Sequence, residues 1–410
     1  MKNVVFLSPN FPENYWNFCR ELKNNGLRVL GIGDCPYDNL RQELKDSLDE
    51  YYKVSSLENY DEVYKAVAFF ISKYGRIDWL ESNNEYWLER DAHLRTDFNI
   101  ASGFHDEDIP RIKYKSKMKE YYAKAGIPAA RYHLVQEWDD TKAFVDMVGY
   151  PVVVKPDNGV GASNTFKINN DTELGRFFQL RYENHDTVQY IMEEFVRAEV
   201  NSYDAIINSQ GEPIFETGNV TPMSIMDIVN QGDNSVFYIL KELPEETRRA
   251  GRAAIKAFGV KSRFVHFEFF RLDKAKKGLG RKGDFIGLEV NMRPAGGYTP
   301  DMMNFAHSLD VYSIWADMIC GKKASEAATP SPESYEETPH NHFCLYYGRR
   351  DATRYLHSDY EVLSKYASHL AMHERMPDAI SGAMGNQMYT LHAYSQQELD
   401  EMISYLQEKA

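Results

Sequence analysis

Thiol chemistry has little to work with in this chain. Four cysteines occur in 410 residues, Cys19, Cys35, Cys320 and Cys344, and no two of them form a CxxC pair. That spacing excludes zinc-finger-type ligation and a disulfide framework, and it suits a reducing compartment. Basic charge is also in deficit: 47 Lys and Arg against 61 Asp and Glu leave a net charge of -14. A broad nucleic-acid footprint needs a basic face, so no nucleic-acid partner is expected. Long apolar runs are missing as well. No stretch approaches the ~20 residues that cross a bilayer, and the apolar run of the N-terminal MKNVVFLSPNF is too short for a signal peptide. A cytoplasmic protein without membrane partners is the expectation.

What is present is an ordinary globular composition, 43% hydrophobic and 26% charged, in a chain long enough for about two to four subdomains. The first hundred residues alternate strand and helix: a strand over 4–7, a helix over 14–25 ended by Gly26, a strand over 28–32, a helix over 60–74 ended by Gly75, and a third strand from Ile77. Such alternation predicts an α/β unit with a parallel sheet covered on both faces, Rossmann-like in plan. The GxGxxG fingerprint of a dinucleotide site is absent from it.

Near Pro110 the pattern changes to α+β. A helix over 115–124, stopped by Gly126 and Pro128, precedes strands over 150–155, 165–168, 187–195, 201–207, 264–272 and 284–291, with a solvated basic loop over 274–284. A small C-terminal α+β module follows, with a strand over 342–347, a helix over 360–370, two strands of which the second spans 387–394, and a helix over 396–409. The Pro-, Ser- and Glu-rich segment 330–339 reads as a linker. The expected units are 1–108, 109–190, 191–335 and 341–410.

The residues that could do chemistry lie on these strands. In Leu288-Glu-Val-Asn-Met-Arg293, strand alternation puts Glu289, Asn291 and Arg293 on one face, with Val290 and Met292 on the other. Hard oxygen donors beside a guanidinium suit Mg²⁺ and a phosphate or carboxylate. Glu268 sits among aromatics in His266-Phe-Glu-Phe-Phe270 and needs a cation or a donor if buried. His266 is expected on the opposite face, as a structural residue. Lys155 ends an apolar strand and leads into Asp157-Asn-Gly-Val-Gly-Ala-Ser163, whose glycines let backbone N–H groups approach phosphate. No Walker lysine follows. Lys113, Lys115 and Lys117 open a helix; taken singly, each reads as surface charge. Arg349-Arg350 reads as a solvated turn.

In this order along the chain, these pieces resemble the ATP-grasp superfamily over roughly 110–321. The resemblance implies an ATP-grasp fold with a Rossmann-like pre-ATP-grasp domain before it. It implies that Lys115 and Lys155 hold ATP phosphates, and that Gly159, Gly161, Ala162 and Ser163 cover them. Glu193, Glu194, Phe195 and Val196 would meet adenine, and Glu199 the ribose. Glu268, Glu289 and Asn291 would ligate Mg²⁺, two ions by the family's habit and replaceable by Mn²⁺. Arg293 and Lys155 would be catalytic. Gly297 stands where biotin carboxylases carry a glutamate, and Arg-Pro-Ala-Gly-Gly looks more like carboxylate–amine ligases of the L-amino-acid ligase kind. The implied reaction joins a small carboxylate to an amine, amino acids among the candidates, through an acyl phosphate. The alternatives are a silent ATP sensor or a bicarbonate-using carboxylase. A homodimer is the default closed assembly.

Overall fold

The structure, a computed structural model, describes residues 1–159, 165–222, 233–322 and 341–410. The linker over 330–339 and the loop residues Gly161, Ala162 and Ser163 lie outside the described residues.

Four parallel strands, β1 (Asn3–Leu7), β2 (Arg28–Gly33), β3 (Glu50–Lys53) and β4 (Trp79–Glu81), form the first sheet in the order β3-β2-β1-β4. Both faces are covered because both residue sets of β1 are apolar. Val4 and Phe6 pack with Phe18, Cys19 and Leu22 of the helix Trp16–Asn24. Val5 and Leu7 pack with Val63, Ala66, Val67 and Phe70 of the helix Tyr60–Tyr74. Asn59 caps that second helix by accepting from the backbone N–H of Glu62. Strand β3 was not legible in the sequence: Glu50-Tyr-Tyr-Lys53 is polar and only half-buried at the sheet edge.

A second, antiparallel sheet has the order β5-β8-β6-β7, from β5 (Tyr132–Leu134), β6 (Val152–Pro156), β7 (Phe166–Ile168) and β8 (Tyr190–Glu194). Val152, Val154, Tyr190 and Met192 face a core shared with Phe144 and Val145 of one helix and Leu174 and Phe177 of another. Period-two alternation therefore turns Lys155 and Glu193 to the opposite face.

The third sheet has nine strands: β9 (Ala198–Ile207), β10 (Pro213–Thr217), β11 (Asn219–Thr221), β12 (Ser235–Ile239), β13 (Arg263–Leu272), β14 (Phe285–Asn291), β15 (Phe343–Arg349), β16 (Leu370–Arg375) and β17 (Gln387–Ala393). Its order is β14-β13-β9-β11-β12-β15-β17-β16, with β10 also on β9. The last three strands thus continue the sheet that carries β13 and β14. The helix expected over 360–370 is shorter, Asp359–Lys365, and Leu370 begins β16 instead. Arg349 and Arg350 are not solvated, which corrects that expectation. Arg349 is buried and donates to Leu406 O and His357 O, while Arg350 donates to Asp233 O, Ser381 O and Gly382 O. The pair donates to backbone carbonyls of segments distant in sequence.

Candidate active site

The site lies where the helix Lys115–Lys124 meets β13–β14 on one side and β6–β8 on the other. Lys115, Met118, Lys119 and Tyr122 recur at helical spacing and are all buried. One helix face therefore presents two lysines and a tyrosine inward. On β14, Tyr122 packs over Gly287, where an added Cβ would sit 2.4 Å from the ring. Its hydroxyl lies 2.9 Å from Glu289 O and 3.3 Å from Glu268 O, bridging the two strands.

Glu268 and Glu289 are directly paired across β13 and β14, just beyond a register shift that leaves Phe269 opposite Gly287. The shift precedes Glu289, so the alternation from Glu289 to Asn291 is intact. Two carboxylates opposite one another repel unless a cation lies beside them. Lys115 Nζ stands 3.2 Å from Glu289 Oε1 and donates to Gly159 O at 2.8 Å. His266 Nε2 is 3.3 Å from Glu268 Oε1, and its Nδ1 is 2.7 Å from the buried Asp204. The expectation that His266 turns away is thereby corrected: residues two apart on a strand share a face. Burial opposes the imidazolium of His266, but Asp204 and then Glu268 outweigh it and lift its pKa to about 9. Burial likewise works against the charge of Glu268, and His266, Arg293 and Lys155 overcome it to hold its pKa below the usual value.

Across the cleft, Glu193 sits between two ammonium groups, 2.6 Å from Lys119 Nζ and 3.0 Å from Lys155 Nζ. Burial pushes its carboxyl up, yet the two lysines bring it down to about 2. For Lys155 burial is again opposed, by Glu193 and Glu289, and the ammonium is held above its ordinary pKa. Glu194 is tied to Arg131 at 2.7 Å and Lys276 at 3.2 Å. Phe195 gives its carbonyl to Lys276 and its ring to Lys167, 4.4 Å from the centroid. Val196 is buried, and Glu199 accepts from Asn201 Nδ2 at 2.9 Å. Asp157, opening the Gly-rich segment, is clamped to the helix start by Ser116 N and Oγ, both at 2.7 Å.

Arg293 completes the β14 row: its Nη2 donates to Asn291 Oδ1 at 3.3 Å, and its Nε is 3.6 Å from Glu85 of the first sheet's loops. Glu85 also pairs with the buried Lys113 at 2.9 Å, so Lys113 is not a surface charge. Sequence reasoning missed Lys119, Glu85, Arg131 and Lys276. The i, i+4 step from Lys115 was the one available signal for Lys119.

Among the described residues, no group of three or more His, Cys, Asp and Glu gathers for a metal. A cation here would instead find two opposed carboxylates and the amide of Asn291. Those are hard oxygen donors suited to Mg²⁺, which leaves further positions to water and phosphate.

The scaffold has the ATP-grasp fold, shared with solved structures that superpose on nearly the whole chain. No family model matches it. The chain is 35% identical over 170 residues to an L-arginine-specific L-amino acid ligase of Bacillus subtilis, covering 41% of this chain and 40% of that one. It thus spans well under two thirds of the first curated relatives it matches. The solved L-amino acid ligase from Bacillus licheniformis superposes with a TM-score of 0.69 at 14% identity, over 99% of this chain and 98% of that one. The biotin carboxylase domain of the Hydrogenobacter thermophilus 2-oxoglutarate carboxylase, solved with MgADP, gives 0.68 at 16% identity, over 100% and 90%.

Proposed function

We propose that the protein is an ATP-dependent carboxylate–amine ligase. The observation that carries this reading is the opposed pair Glu268 and Glu289, flanked by Lys115 and by Asn291–Arg293 and faced by Lys155. In this reaction a substrate carboxylate oxygen attacks the γ-phosphorus of ATP, giving an acyl phosphate and ADP. The amine nitrogen then attacks the acyl carbon, phosphate leaves, and the amine loses a proton.

Mg²⁺, two ions in our reading with Mn²⁺ an acceptable substitute, supplies charge neutralisation at the transferring phosphoryl group. Glu268, Glu289 and Asn291 would hold it. Lys155 and Lys115 neutralise phosphate oxygens, and the ammonium of Lys155 stays protonated because Glu193 and Glu289 favour its charge. Arg293 orients the acyl phosphate in bidentate fashion. Gly159 would border the phosphates; Gly161, Ala162 and Ser163, assigned with it by the resemblance, lie outside the described residues. Glu193, Glu194, Phe195 and Val196 border adenine and Glu199 the ribose. The relatives named above supply the amide-forming direction of this reading.

The test is ADP and phosphate release from Mg²⁺-ATP against a panel of carboxylic acids, with hydroxylamine as the trap. Acid-dependent ADP release with a hydroxamate product is expected. Glu289→Ala should lower the rate by at least about 10²-fold with the fold retained. A folded, fully active Glu289→Ala protein would sink the metal assignment, and tight ATP binding without acid-dependent turnover would favour a sensor.

A further inference from the structure

Lys119 is buried, and the reaction proposed for this site gives it no role. It and Lys155 reach Glu193 from different sides. In the order β5-β8-β6, Glu193 lies on the central β8, in register with Tyr132 of β5 and Val153 of β6. Lys119 Nζ takes Glu193 Oε1 at 2.6 Å and lies 5.8 Å from the ring centroid of Tyr132, on the β5 side. Lys155, on β6, takes Glu193 Oε2 at 3.0 Å and is also drawn by Glu289 and Glu268. Lys155 is thus the ammonium turned towards the carboxylates of β13 and β14, and Lys119 is the one behind Glu193.

Counting charge shows what Lys119 adds. Glu193 and Lys155 alone would be a neutral pair. In a buried site, the field that such a lysine offers an anion is largely cancelled by the carboxylate beside it. With Lys119 the trio carries one net positive charge. The next carboxylate along β8 does not compete for Lys119, because Glu194 already has Arg131 at 2.7 Å and Lys276 at 3.2 Å. The other phosphate lysine stands differently. Lys115 pairs with Glu289 at 3.2 Å, and Glu289, as a metal ligand, would have a metal ion to replace that lysine. Glu193 has Lys119 in that place.

We infer that Lys119 is a positioning residue of the phosphate site: it neutralises Glu193, so that the positive charge of Lys155 is left for the phosphates of ATP. The inference rests on the reading that Lys155 meets those phosphates, and it does not depend on amide formation. Lys119 acts through Glu193 and needs no contact of its own with the nucleotide.

Calorimetric titration of the full chain with Mg²⁺ and the non-hydrolysable analogue AMP-PNP, without acid or amine, reads the effect. Lys119→Met should weaken binding by about tenfold or more, the usual worth of an interaction with a charged group. Binding of adenosine, which carries no phosphate, should not change. The decisive comparison is made in a Glu193→Gln background. There Lys155 has no carboxylate on β8 to cancel it, and Lys119, whose ammonium burial already disfavours, has none to hold its proton. Adding Lys119→Met to Glu193→Gln should therefore alter AMP-PNP affinity by less than about twofold. Lys119→Arg, which keeps the charge, should keep the affinity. Lys119→Gln, neutral but still able to donate to Glu193, carries the same test if Lys119→Met misfolds. Equal losses in the two backgrounds, an equal loss for adenosine, or no loss from a neutral variant would overturn this role and leave the ligase standing. The expected pattern in a protein that turns over no carboxylic acid would uphold the role and overturn the ligase.

Discussion

Replacing Glu193 by Gln keeps the shape of the side chain and removes the charge that Lys119 and Lys155 share. The carboxyl is depressed from 4.5 to about 2 in the folded protein, which corresponds to about 3 kcal/mol of stability at neutral pH. That agrees with the ~3–5 kcal/mol usually lost when one partner of a buried ion pair is removed. Burial already disfavours the ammonium of Lys119, so this lysine can shed its proton in the variant and the loss should sit at the low end. The sign in pH follows from the depressed value. Glu193 stabilises the fold fully above about pH 4.5, and that contribution fades as pH falls towards 2. Urea unfolding of both proteins at neutral pH and at pH 4.5, 3.5 and 3 measures the gap. A lower midpoint for Glu193→Gln at neutral pH, with a gap that narrows below pH 4.5, is the expected pattern. Hydrogen exchange along β6 and β8 should quicken by about a hundredfold at neutral pH. A variant as stable as the parent, or a gap indifferent to acid, would refute the reasoning.

Two further outcomes follow from the helix that carries the lysines. Tyr122→Phe removes the hydroxyl between Glu268 O and Glu289 O and should cost about 1–2 kcal/mol in urea unfolding. Gly287→Ala would force a Cβ to within 2.4 Å of the Tyr122 ring. It should cost about 1–3 kcal/mol and raise KM for Mg²⁺-ATP, because β14 must move to relieve the clash; an unchanged KM would show that the ring yields instead.

Much of this was legible beforehand, for physical reasons that differ by region. The helices Tyr60–Tyr74 and Lys115–Lys124 were read with the bounds the structure shows, since Gly75 and Gly126 end them. The common face of Glu289, Asn291 and Arg293 was read from strand alternation, and the structure sets Glu268 opposite Glu289 across β13 and β14. Yet His266 was sent to the wrong face of that same strand. Lys119 escaped notice and Lys113 was read as surface charge because a lysine on a short helix is ordinarily solvated, and only the approach of Glu193 and Glu85, remote in sequence, makes their burial tolerable. The Arg349-Arg350 pair misled for the same reason: its partners are backbone carbonyls of distant segments.

The continuity of the nine-stranded sheet carries a consequence for anyone who trims this protein. Without β15–β17, the strand Ser235-Val-Phe-Tyr-Ile239 would lose its partner β15 and become a bare edge of β-branched and aromatic residues. Such an edge recruits other chains, and fibrous aggregation is its usual outcome. In the intact chain the outermost strand is β16, which closes on the exposed, charged Glu374 and Arg375. The C-terminal segment thus doubles as a guard on solubility, at the opposite end of the sheet from the carboxylates of β13 and β14.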